Sequence, residues 1–365
     1  MTTDVTSIGG TVLVNANQTE SPLAILPNSQ MAVQEETVVS TDDSSLAVLT
    51  FFEDSTVTLY GNTTVLIHQS NKPRFNLSNQ SPEIEIELVR GRIRAAPIVS
   101  DTQLIFRVRT PEATSLLAEG SYAVESNDSL TQVSTRQGVA LVDSQGQQIE
   151  LATGQRSIIQ QGEPPSPATE AEQNLIVNGD FQAPISEAWA QDIFIPSNAV
   201  DVISATATID QFGEQNVVIF RSQGQDNIHT DAAIEQRIDK DVRDFQSLRI
   251  NADIRLNLQS LPGGGFQGSE YPVLIQLSYK DDEGNDREWY RGFYYETPPS
   301  NYILLDQVDN SSERITRNLW YPYESENLLT TLADIKPVYV KSIRIYASGW
   351  IYNAMVTDIQ LLAQE

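Results

Sequence analysis

The chain has 365 residues, 40% of them hydrophobic and 20% charged, with a formal net charge of −26 and no cysteine. That length exceeds one ordinary hydrophobic core and predicts two domains, and the composition is too apolar for bulk disorder. The charge repels nucleic-acid phosphates and anionic lipid, and the lack of cysteine removes disulfides, thiolate metal sites and cysteine nucleophiles. The two histidines, His68 and His229, lie far apart in sequence, so neither a Ser-His-Asp triad nor a His-rich metal site is expected. No apolar run is long enough to span a bilayer, and Met1–Gly10 lacks the basic start and apolar core of a signal peptide. No membrane insertion of these 365 residues is expected.

In chain order, nearly every periodic segment repeats with period two. Val48–Phe52 and Val57–Tyr60 flank a Glu53-Asp54-Ser55 turn, and Ile84–Leu88 alternates as a half-buried strand does. Leu104–Arg109, Val139–Val142 and Ile149–Leu151 follow the same rule, with turn residues between them. Residues 163–173 hold three prolines, small residues and acids, and read as a linker. Domains are therefore expected over 1–162 and 174–365. The second opens on Asn174–Phe181, continues through the long alternating runs Ser247–Leu256 and Tyr271–Tyr279, and closes with Val338–Tyr346 and Ala354–Leu361. Leu328–Asp334 suits a short helical turn. The fold class expected is all-β, the second half a sandwich or jelly roll.

Several pieces in the first half resemble the FecR domain. Ile8–Val14 looks like its opening strand, and Thr41 precedes Leu46–Leu59 as the family's strand–turn–strand does, although the usual turn glycine is missing beside Asp54 and Ser55. Leu88–Arg94 matches its glycine-centred strand, Phe106–Ala113 its Val-x-Thr-Pro stretch, and Ala118–Val124, Gln137–Val142 and Leu151–Gln155 follow in family order. The resemblance implies a β-roll or twisted β-sandwich, placed outside the membrane and linked to signalling or envelope assembly. The anti-sigma segment and transmembrane helix of signalling members are not among these residues. The second half resembles a galactose-binding-like jelly roll of the carbohydrate-binding-module type, from its opening Asn178-Gly179-Asp180-Phe181-Gln182 with Trp189 and its terminal Trp350–Leu361.

That second resemblance implies a structural calcium ion held by Asp180, Gln182 and Asp358. Calcium favours several oxygen ligands, and Gln182 removes one charge where the family has Glu. The competing reading is ordinary strand-end residues. Sugar rings stack on aromatic planes, which singles out Trp289, Tyr295, Trp320, Tyr323, Trp350 and Tyr352 as candidate ligand-binding residues. On an alternating strand Tyr290 and Tyr294 face opposite to Trp289, Phe293 and Tyr295, so one set should be core. Pure packing, a concave ligand surface and a protein interface remain open for these aromatics. Gly263–Gly268 lacks the spacing and the lysine of a phosphate loop, and no pair of the many acids stands out for glycoside hydrolysis.

The expectation is a non-catalytic, extracellular, periplasmic or cell-surface protein, with any signal or anchor outside the given sequence. A FecR-like scaffold or docking domain would accompany a jelly roll that contacts a glycan or a partner protein. The alternatives are a self-associating subunit of a surface layer, sheath or filament, and the sensor ectodomain of a truncated anti-sigma regulator.

Overall fold

The computed structural model of the protein describes residues 2–16, 21–73, 81–99 and 104–364. It is 57% strand and 4% helix, as period-two patterning requires. The chain divides into two compact units, one ending at Glu172 and the other spanning Gln173–Gln364.

In the first unit one long strand, Glu83–Ala96, serves two sheets. Its first half pairs with Thr64–Asn71 and, in parallel, with Ile105–Arg109. Its second half pairs with Thr56–Leu59 and Ser121–Ser126. Gly91 sits at the changeover with φ +96°, where a Cβ would lie 2.5 Å from the Thr63 Cα. No other residue type fits such a bend without strain. The alternate residues Leu49, Ile86, Ile93, Phe106 and Tyr122 face inward into one core, a twisted two-sheet β architecture in line with the first resemblance.

Residues 163–172 are not a free linker. Thr169–Glu170 pairs with Gln155–Gln160, the Ser157 hydroxyl donates to the Ser166 carbonyl at 2.7 Å, and Ala171 is buried. The prolines forbid a long strand but leave enough donors for one short edge pairing.

The second unit is a sandwich of two sheets. In the first sheet Ile203–Phe212, Gln215–Gly224, Tyr352–Gln364, Ser247–Gln259 and Trp320–Glu324 lie side by side. In the second the order is Ala190–Phe194, Thr230–Asp241, Tyr339–Gly349, Val273–Lys280, Asp286–Tyr294 and Asn310–Arg314. Phe220, Ile254, Leu256, Ile275, Leu277, Ile345 and Val356 pack between the sheets. A short helix, Leu328–Thr331, is capped by the Asn327 side chain. A second, Ile185–Ala188, is too short to be signalled by periodicity.

Candidate ligand-binding face

Alternation places every second residue of the second sheet away from the core. Register then aligns those side chains across strands. Glu235 pairs with Arg344, Arg344 with Gln276, Gln276 with Tyr290 and Tyr290 with Asn310. All five are half-buried, so they form one polar row with a central aromatic ring, crossing five neighbouring strands. The adjoining row carries Ser342, Ser278 and Glu288.

The row is held in place by its neighbours. Arg344 Nη2 donates to Asp192 at 2.9 Å, and its guanidinium lies 4.7 Å from the Tyr346 ring centre. Gln276 donates to Glu288 Oε1 at 3.0 Å, and the Tyr290 hydroxyl donates to the other Glu288 oxygen. Burial, then the Glu288 carboxylate, pushes the Tyr290 phenol up, so it stays a neutral donor. Burial likewise raises Tyr346 to about 12. Among the described residues, Arg344 Nε and Asn310 Oδ1 have no hydrogen-bond partner. At the Asn310 end the row opens into a cavity of about 450 Å³, lined by Ser278, Glu288, Tyr290, Asp309 and Asn310 among others. That is within the size range of small-molecule sites.

Just before the strand that carries Glu235, His229 lies 3.2 Å from both Asp231 and the buried Glu270. Hydrogen bonds to Asp231 and then Glu270 raise its pKa to about 9. The Glu270 backbone N–H donates to the Gly264 carbonyl. This clasp ties the Gly263–Gly268 loop to the strand that carries Glu235.

The aromatic residues singled out in the sequence are dispersed. Trp289, Tyr323 and Tyr352 are 2%, 4% and 2% exposed and belong to the core, which removes them as ligand contacts. Their neighbours explain it: Phe293 packs edge-on to Tyr323 at 4.9 Å, and Thr230 Oγ1 donates to the Tyr352 hydroxyl at 3.4 Å. Tyr295 is half-buried under Arg317 and accepts from the Gln259 N–H. Trp320 lies on the first sheet, its ring 5.9 Å from Phe212. Trp350 belongs to a loop cluster with Phe266 and Tyr302. The residues the sequence reading passed over, Glu235, Arg344, Gln276 and Asn310, carry no local motif. Only the two-way split of Tyr290 from Trp289 pointed to this face.

Asp180, Gln182 and Asp358 are all exposed. The Ile359 N–H donates to the Gly179 carbonyl at 3.0 Å, so the segments bearing the two acids lie side by side, with Asp358 at φ +51°. Two carboxylates and one carboxamide fall short of calcium's usual six to eight oxygens, so main-chain carbonyls and water would have to complete the set. Among the described residues no group of three or more acidic or histidine side chains is arranged to hold a metal.

Residues 37–141 match the family model described as FecR protein. That stretch lies within the first unit and covers the two-sheet strand and its neighbours. No curated protein matches the chain. Among solved structures, one from Parabacteroides distasonis described as an anti-sigma factor is 20% identical over 36% of this chain and 59% of its own, with a TM-score of 0.30. This chain therefore spans less than two thirds of that protein. A family 11 carbohydrate-binding module from Clostridium thermocellum, solved with a β-1,3-1,4-mixed-linked tetrasaccharide, is 14% identical over 53% of this chain and 96% of its own, with a TM-score of 0.31. The enzymatically active domain of bacteriophage CBA120 tailspike protein 4 is 12% identical over 52% of this chain and 21% of its own, also with a TM-score of 0.31.

Proposed function

We propose that the protein is a non-catalytic binding protein of the cell envelope or extracellular space, whose second unit holds a glycan across the outer face of its second sheet. The observation that carries this reading is the Glu235–Arg344–Gln276–Tyr290–Asn310 row. Amide, guanidinium and carboxylate groups that flank a half-exposed ring offer paired hydrogen bonds to hydroxyls and a flat surface for a sugar's apolar face. With a chain charge of −26, neutral or cationic saccharides are favoured over uronates or sulfated glycans. The first unit serves as scaffold or docking domain. A structural calcium between Asp180 and Asp358 is part of the proposal as a stabilising element away from the row.

The test is affinity electrophoresis on a panel headed by mixed-linkage β-1,3-1,4 glucan. Retardation lost in Tyr290→Ala supports the reading, and an unretarded wild-type protein on every neutral or cationic glycan refutes it. The FecR match favours a second reading, in which the first unit is a regulatory ectodomain that docks a partner protein. Capture of one specific envelope protein by the first unit, unaffected by Tyr290→Ala, would select it.

A further inference from the structure

The cavity at the Asn310 end of the row has a charge pattern that the row itself does not require. Its walls carry Asp286, Glu288 and Asp309 against two cations, Arg287 and Lys341. Both cations are already answered. Arg287 Nε donates to the buried Asp281 at 2.8 Å, and Lys341 Nζ to Asp286 at 3.2 Å. Glu288 accepts only from the neutral donors Gln276 and Tyr290, and among the described residues neither Glu288 nor Asp309 forms an ion pair.

Two uncompensated carboxylates, Glu288 and Asp309, therefore line a cavity of about 450 Å³ together with the Tyr290 ring. An aromatic ring and carboxylates that line one cavity are the surrounding that stabilises an ammonium group: the ring quadrupole and the carboxylates both present negative potential. An acetamido or carboxylate group there would bring no charge to meet Glu288 and Asp309, or would add a like one.

We infer that this cavity is a subsite for the ammonium group of an amino sugar, so that the glycan held by the row is an amine-bearing, deacetylated saccharide. This deepens the glycan reading above and rests on it. Glu288 is the main contact, aligned by Gln276 and Tyr290, with Asp309 lining the same cavity. No bond is made or broken.

The experiment compares chitosan hexamer with the fully acetylated chitin hexamer, titrated calorimetrically into the full chain at mildly acidic pH. Both have the same β-1,4 backbone and differ in the amine. The expected result is tighter binding of the chitosan hexamer, falling as salt is raised. Glu288→Gln and Asp309→Asn should each weaken it by roughly three- to tenfold. Glu288→Gln keeps an acceptor for the Tyr290 hydroxyl, so the fold is expected to survive. Asp210→Asn, an exposed carboxylate on the other sheet, should change nothing. Equal affinity for the two hexamers, or equal loss in Asp210→Asn, would overturn the amino-sugar subsite. Binding of a neutral glycan that depends on Tyr290 but not on Glu288 or Asp309 would overturn it while leaving the glycan reading intact. Absence of any saccharide binding would end both.

Discussion

Trp289 and Tyr290 are adjacent in the chain and face opposite sides of one sheet: the indole is 2% exposed in the sandwich core, while the phenol lies on the outer face and donates to Glu288. One peptide bond thus separates a packing residue from a candidate ligand contact. Trp289→Ala should cost about 3–5 kcal/mol, as other large-to-small core substitutions do. Tyr290→Ala, which removes a half-buried ring packed on the Tyr271–Leu274–Tyr294 cluster, should cost less, about 1 kcal/mol. Thermal unfolding of the two variants checks this; equal destabilisation would contradict the assignment of faces.

The His229 clasp makes stability depend on pH. The folded pKa, about 9, lies above the ordinary histidine value of about 6.5. The contribution is therefore fully present below about pH 6.5 and is lost as pH rises through about 9. The side chain is 40% exposed, so solvent screening limits it to about 1 kcal/mol. Comparing His229→Gln with the parent from neutral to alkaline pH should show a stability gap that closes toward pH 9. A gap that widens would contradict the clasp.

Gly91→Ala should destabilise the first unit alone, by about 2 kcal/mol or more, since a Cβ there meets the Thr63 backbone at 2.5 Å with φ at +96°. The measurement is hydrogen exchange, with protection lost around Glu83–Ala96 and unchanged in Gln173–Gln364.

Calcium should raise the melting temperature of the second unit by a few degrees through mass action, and Asp358→Asn should cancel the shift. Glycan binding should be indifferent to chelator, because Asp358 lies on a strand of the first sheet, with the Asp180 segment beside it through the Gly179–Ile359 hydrogen bond, and the ligand row lies on the second.

The strands themselves were legible. Ile84–Leu88, Ser247–Leu256 and Tyr271–Tyr279 all form strands, the last from Val273 onward, and Ser247–Leu256 alternates in burial as in sequence, whereas Ile84–Ile86 and Tyr271–Ile275 are buried on both sides. What periodicity could not supply is which side of each strand meets the other sheet. The split between Trp289 with Phe293 and Tyr290 was visible, but its direction depends on pairing with Val273–Lys280. The row that makes the candidate site is scattered over five strands and exists only through register, so no linear spacing announces it. Residues 163–172 misled for a related reason: proline and acid content indicates poor strand propensity, yet two backbone positions, Thr169 and Glu170, suffice to close an edge pairing.

The most direct test is affinity electrophoresis of wild type, Tyr290→Ala, Trp320→Ala and Trp350→Ala on mixed-linkage glucan and on chitosan. The account predicts retardation of the wild type on at least one of them, abolished by Tyr290→Ala and retained in both tryptophan variants. Retardation that survives Tyr290→Ala but is lost with Trp320 or Trp350 would contradict the assignment of the ligand to the second sheet.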